Sequence, residues 1–223
     1  MTAASLSADA ARPLVTDDAR VVDPGACQVE SWVKRNRDSV EYWALPACNF
    51  SGNLELTLGG ARTRDDLHGT YTSDVQVQGK TLVKRLDTNG WGVALVGGTN
   101  RHPNLGVRDW FVYAPVSVSL FDDRVVVHTN VGGIREGESG HYRATWGVGS
   151  ETKLSERAFL IAELFGQGRR RASHQVGVRY WIVLNHVQLD ATYGNTASDG
   201  SADRWFTLGL RLLSPAFLGS FGR

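Results

Sequence analysis

Cys27 and Cys48 are the only two cysteines in a chain of 223 residues, and with six histidines and one run of three arginines they are its most chemically specific side chains. The histidines are His68, His102, His128, His141, His174 and His186. None sits at HxH or HxxxH spacing and no third cysteine stands near, so no metal site is expected. His128-Thr129-Asn130 and Ser173-His174 each put a hydroxyl beside an imidazole. Adjacent residues of an extended strand face opposite sides, so neither pair can work as nucleophile and base. No catalytic residue is assigned, and the chain reads as a non-enzyme. Val96-Gly97-Gly98 lacks the lysine and the following helix of a phosphate loop, and no cofactor is expected. Arg169-Arg170-Arg171 suits charge-assisted bonds to lipopolysaccharide phosphates, although a solvated basic loop would look the same.

The cysteines can be placed against each other. A hairpin closed at Arg37-Asp38 sets Asn36 opposite Ser39, Arg35 opposite Val40 and, nine steps out, Cys27 opposite Cys48. Pair types alternate outward from the turn, so this one is non-hydrogen-bonded, with Cα atoms roughly 4.5 Å apart. That is within reach of a disulfide and implies an oxidising compartment such as the periplasm; two unrelated thiols are the alternative.

The elements that carry these residues are strands. Leu54, Leu56 and Leu58 alternate with Glu55 and Thr57, and Val75 and Val77 with Gln76 and Gln78. Val176, Val178 and Tyr180 alternate with Gln175 and Arg179, and Phe206, Leu208, Leu210 and Leu212 with Thr207 and Arg211. This is the period of half-buried strands. About twelve segments follow one another as a meander, at 27–35, 40–48, 53–63, 70–83, 90–99, 108–120, 124–133, 141–150, 157–166, 172–183, 187–195 and 204–213. The segment 157–166 could also be written on a helix through Leu154, Ala158, Ile161 and Phe165, but its flanks read as strand and turn. No linker divides the run, so residues 27–213 are read as one β-barrel, 1–26 as a signal remnant with an N-terminal segment, and 214–223 as a tail. Ala8-Asp9-Ala10 fits a secretory cleavage pattern without its basic and apolar regions.

Lys plus Arg is 24 and Asp plus Glu is 23, a balance unlike the basic excess of nucleic-acid binders. No apolar run of 18 residues exists, which excludes helical membrane spans but not a membrane barrel. Longer connections from Thr99 to Val107, Ile134 to Gly140 and Thr196 to Asp203 alternate with short ones such as Phe121-Asp122-Asp123, as outer loops alternate with periplasmic turns. Trp91, Trp110, Trp146 and Trp205 lie where an interfacial girdle would be. The polar stripes hold few lysines, mainly Lys34 and Lys80, unlike a soluble exterior.

Ala11-Arg12-Pro13-Leu14-Val15-Thr16-Asp17-Asp18-Ala19, followed by Gln28-Val29-Glu30, resembles the mature start of a bacterial outer-membrane barrel family labelled with the meta-pathway of phenol degradation. Thr145-Trp146-Gly147-Val148-Gly149 and Thr207-Leu208-Gly209-Leu210-Arg211 also look like strands of that family. The resemblance implies an outer-membrane barrel for uptake of hydrophobic compounds. The chain departs from outer-membrane barrels at its end, where Ser214-Pro215 stops the last strand and Phe221 is not terminal.

Together these readings give an all-β chain: a single antiparallel up-and-down transmembrane β-barrel in the bacterial outer membrane, bathed in lipid and lipopolysaccharide. Its expected role is porin-like transport of a small solute, hydrophobic or aromatic. With the apolar stripe facing lipid, the lumen receives Glu30, Lys34, Glu41, Glu55, Lys80, His128, Arg143, Glu163, Arg179, Asp190 and Arg211. A soluble periplasmic barrel holding an apolar ligand, or an outer-membrane subunit plugged by its own side chains, are the alternatives.

Overall fold

The computed structural model describes residues 14–196 and 204–218. The signal-like Ala8-Asp9-Ala10, the opening Ala11-Arg12-Pro13, residues 197–203 and Phe221 lie outside the described residues. The strands are β1 (Cys27–Arg35), β2 (Ser39–Asn49), β3 (Leu54–Asp65), β4 (Tyr71–Lys84), β5 (Trp91–His102), β6 (Val107–Leu120), β7 (Val125–Arg135), β8 (Tyr142–Lys153), β9 (Ala158–Gln167), β10 (Ser173–Val183), β11 (Val187–Thr196) and β12 (Trp205–Leu213). Each pairs antiparallel with its sequence neighbours, and β1 pairs with β12, closing a twelve-stranded barrel without an edge.

The two faces of every strand are chemically opposite. Leu58, Val131 and Leu208 point outward and are 62%, 70% and 55% exposed, whereas Lys80, Arg179 and Arg211 are 2%, 1% and 0% exposed inside. A soluble ligand-binding barrel has the reverse arrangement, apolar within and polar without, so this chain is not one. Trp91, Trp110 and Trp146 lie on the outer face, but Trp205 does not: it shares the inward parity of Thr207 and Arg211, and its indole N–H donates to Gln175 Oε1 at 3.2 Å.

Among the described residues the connections are short at both ends. Those at 36–38, 66–70, 103–106, 136–141 and 168–172 hardly exceed those at 50–53, 85–90, 121–124, 154–157 and 184–186. Strand pairing continues past the expected ends, to His102 in β5 and Arg135 in β7, and consumes residues expected in loops. Among these described connections the asymmetry of loop length expected from the sequence is weak; the expected long connection from Thr196 to Asp203 lies outside the described residues.

At the end where β1 starts and β12 stops, Cys27 faces Cys48 and the two form a disulfide with Cα atoms 4.1 Å apart. The hairpin turns at Arg37-Asp38, with Asn36 N donating to Ser39 O at 2.9 Å. Beside the disulfide Ser214 N donates to Cys27 O, and Phe217 N and Leu218 N to Gly25 O, so the two ends of the barrel chain are laced together. For a sequence separation of 21 residues the chain-entropy model gives on the order of 3 kcal/mol. Peptide mass spectrometry of protein exported to the periplasm and kept unreduced is expected to show the Cys27–Cys48 cross-link; two alkylatable thiols would contradict it.

Candidate functional site

Residues 14–26 precede β1 and run inside the barrel. An extended segment in a lumen has backbone groups that must find partners other than a ladder. The wall supplies them with side chains. Glu163 accepts from Val15 N and Thr16 N, both at 2.8 Å, Ser117 Oγ from Ala19 N at 2.8 Å, and Glu55 Oε2 from Val22 N at 2.9 Å. Asn49 Nδ2 donates to Val22 O at 2.7 Å. The Asn130 amide, turned to satisfy both its ends, donates to Asp17 O at 2.9 Å and accepts from Asp17 N at 2.7 Å. Gly147 makes room for the segment, since a Cβ there would run into Thr16 Oγ1.

Charge completes the docking. Lys80 Nζ lies 2.8 Å from Asp17 Oδ1 and 2.9 Å from Asp18 Oδ1, and Asp18 is fully buried. Tyr113 OH donates to Asp17 Oδ2 at 3.1 Å. Two carboxylates on one ammonium form a compact latch inside the barrel.

Nearer the β1–β12 seam, Arg211 Nε donates to Gln28 Oε1 at 2.9 Å and stands 3.6 Å from Glu30. Arg179 meets Glu151 at 2.8 Å and is the register partner of Asp190. Ser117 Oγ and His128 Nδ1 are 2.8 Å apart, and His128 Nε2 is 3.7 Å from Glu151. This hydroxyl, imidazole and carboxylate have the composition of a hydrolytic triad. Ser117 and His128 are fully buried, however, and the Ser117 oxygen is occupied by the Ala19 N–H of the segment. The cluster as it stands anchors the segment to the wall.

Toward the opposite end the lumen widens into a vestibule floored by Val15. One lobe of about 640 Å³ is lined by Trp32, Trp43, Phe165, Trp205, Lys34 and Glu41. Trp32 and Trp43 stack in parallel, 5.2 Å apart with 3° between planes. Glu41 accepts from Trp43 Nε1 at 2.8 Å and lies 3.4 Å from Lys34. A second lobe of about 550 Å³ shares Val15 and Phe165 and is walled by Phe111, Tyr113, Arg170 and Arg171. A narrower space of about 290 Å³ leads inward past Trp32 and Trp43 to Glu55 and Lys80.

The structure thus places Glu30, Lys34, Glu41, Glu55, Lys80, His128, Glu163, Arg179, Asp190 and Arg211 on inward positions. Arg143 sits at the vestibule rim, 2.8 Å from Glu136. Of the basic run, Arg170 meets Glu136 at 3.1 Å, and Arg170 and Arg171 turn to the vestibule. The Ser139 hydroxyl and then Arg143 hold Glu136 below the usual carboxylate range. With its folded pKa depressed, this rim contact is present above the ordinary glutamate pKa and is lost as pH falls through the lowered one.

Asp17, Asp18, Ser117 and Glu151 were not legible as site residues. Glu151 lies one residue past the expected end of its strand, which runs on to Lys153. Ser117 had a usable signal: a hairpin closed at Asp122-Asp123 sets it opposite His128, its observed partner.

A family model matches residues 1–213. The chain belongs to the family described as uncharacterised conserved protein UCP029691. That description names no activity, so the link to phenol-degradation barrels rests on the sequence resemblance alone. No curated protein sequence matches. Among solved structures the chain is similar to the KdgM porin, at TM-score 0.65 and 10% identity over 83% of this chain and 98% of that one. It is similar to the NanC porin at TM-score 0.62 and 12% identity, over 83% and 98%. It is also similar to the COG4313 outer membrane channel from Pseudomonas putida F1, at TM-score 0.63 and 13% identity, over 88% and 97%. At these identities the likeness shows a shared fold.

Proposed function

We propose that the protein is an outer-membrane channel of porin type, held closed by its own N-terminal segment, that receives a small amphipathic solute in its outer vestibule. The observation that carries this is the segment 14–26 docked through wall side chains in a polar lumen beneath an open vestibule. An apolar exterior and charged interior suit a bilayer. The likeness to porins and to an outer membrane channel supports transport over catalysis. Parallel indoles beside Lys34 and Glu41 favour a solute with a flat apolar face and a polar edge, which keeps an aromatic compound in view. A permanently plugged structural subunit is the competing reading.

Planar-bilayer conductance decides between them. The full chain is expected to show small, infrequent openings, and a chain lacking residues 1–22 a stable, several-fold larger conductance. Equal conductance from the two would overturn a closing role for the segment.

A further inference from the structure

The outer face carries a charge pattern that the lumen does not explain. At the vestibule end Arg101 of β5 and Arg108 of β6 are direct register partners, and both are exposed on the outward side. Arg135 of β7 is exposed on the same side and pairs with Trp110, two residues along β6 from Arg108. Opposed side chains have Cβ atoms roughly 5 Å apart and diagonal ones about 7–8 Å, so the three guanidinium groups share one patch. Like charges directly opposite destabilise a strand pair unless something neutralises them.

The protein itself does not. Elsewhere on this rim Asp66 takes both Arg35 and Arg64. Near the trio Asp74 and Asp109 are committed to His102 and Glu136 to Arg143 and Arg170, and Glu138, exposed in the β7–β8 turn, makes no ion pair with the three arginines. Among the described residues no ion pair reaches Arg101, Arg108 or Arg135. Beneath them the wall is apolar, with Trp110, Val112 and Val131 on the outward face, and Arg108 lies 5.7 Å over the Trp110 ring. A cationic patch above an aromatic and aliphatic wall matches an amphiphile with an anionic head and hydrocarbon tails.

We propose that Arg101, Arg108 and Arg135 bind the phosphates of an outer-leaflet glycolipid, lipopolysaccharide, with its acyl chains along β5–β7. This rests on the outer-membrane reading above. Guanidinium forks suit phosphate oxygens, and three of them meet the charge of a bisphosphorylated head. The site differs from the Arg169–Arg171 run, of which Arg170 and Arg171 face the vestibule.

The test uses the full chain folded in detergent, with bisphosphorylated lipid A as probe and native mass spectrometry as readout. Wild-type protein is expected to retain lipid A. Joint replacement Arg101→Gln, Arg108→Gln and Arg135→Gln should weaken retention by on the order of tenfold or more. Arg124→Gln, at the opposite end, should leave it unchanged. The corresponding triple lysine replacement, which keeps the charge, should fall between, and a heat-modifiability gel verifies that each variant is folded. Dephosphorylated lipid A should not be retained, and inorganic phosphate should not displace the lipid. Retention of lipid A undiminished by the glutamine replacements, loss on changing Arg169–Arg171 instead, or full displacement by inorganic phosphate overturns the inference. Wild-type protein that inserts into phospholipid vesicles while failing here sinks this inference alone; failure to insert sinks the outer-membrane reading with it.

Discussion

Lys80→Met is expected to undock the N-terminal segment and open the lumen. Lys80 is the cation 2.8 Å from Asp17 and 2.9 Å from Asp18. Methionine keeps much of the side-chain volume and removes the charge. Two carboxylates would then share an enclosed space without that partner, and breaking a buried pair on one side costs about 3–5 kcal/mol. Because the segment enters from one end of the barrel, it can escape that cost by withdrawing its acids to water. The loss therefore falls on docking, while the strand ladder stays intact. Two readouts follow. Trypsin should cut after Arg20 in the folded variant much faster than in the wild type, and bilayer conductance should rise toward that of the chain lacking residues 1–22. A variant as protected and as closed as the wild type would mean that the backbone bonds to Glu163, Ser117 and Glu55 hold the segment without the latch.

What could be read from the sequence divides along the same line. A strand writes its facing into the chain, because alternate residues meet alternate media. Leu54, Leu56 and Leu58 against Glu55 and Thr57 therefore disclosed the strands and their two unlike faces, while the lean toward an apolar exterior came from the scarcity of lysine on the polar stripes and not from the alternation. The Cys27–Cys48 pairing was legible because a two-residue turn propagates its register along a hairpin. The docked segment left no such trace. Residues 14–26 have no periodicity, and their backbone is satisfied by Glu163, Glu55, Asn49 and Asn130, residues scattered over the wall whose types fit equally well in a water-filled lumen. The place of Trp205 near a strand end suggests the girdle. Its inward parity with Thr207 and Arg211 was the better guide.

Neighbouring substitutions in β10 should report the two sides of the wall separately. Val178 is 52% exposed on the outer face, midway along the strand, and Arg179 is 1% exposed inside. Val178→Arg puts a guanidinium against hydrocarbon near the midplane and should destabilise the barrel by about 2–4 kcal/mol. Arg179→Leu acts by another route. It removes the group 2.8 Å from Glu151, leaving that carboxylate with His128 at 3.7 Å, and should cost about 3–5 kcal/mol. Total loss of stability cannot tell these apart, but coupling can. With Glu151→Gln already in place, Arg179→Leu should cost less, because the Glu151 charge it would strand is gone while that of Asp190, its register partner, remains. Val178→Arg, which faces away from Glu151, should add its full cost to the same background. Urea unfolding of the folded protein in lipid vesicles, followed by the heat-modifiable band, measures all of these differences. If Val178→Arg were harmless and Arg179→Leu stabilising, the outer face would not be in contact with lipid, and the assignment of this barrel to a membrane would fail with it.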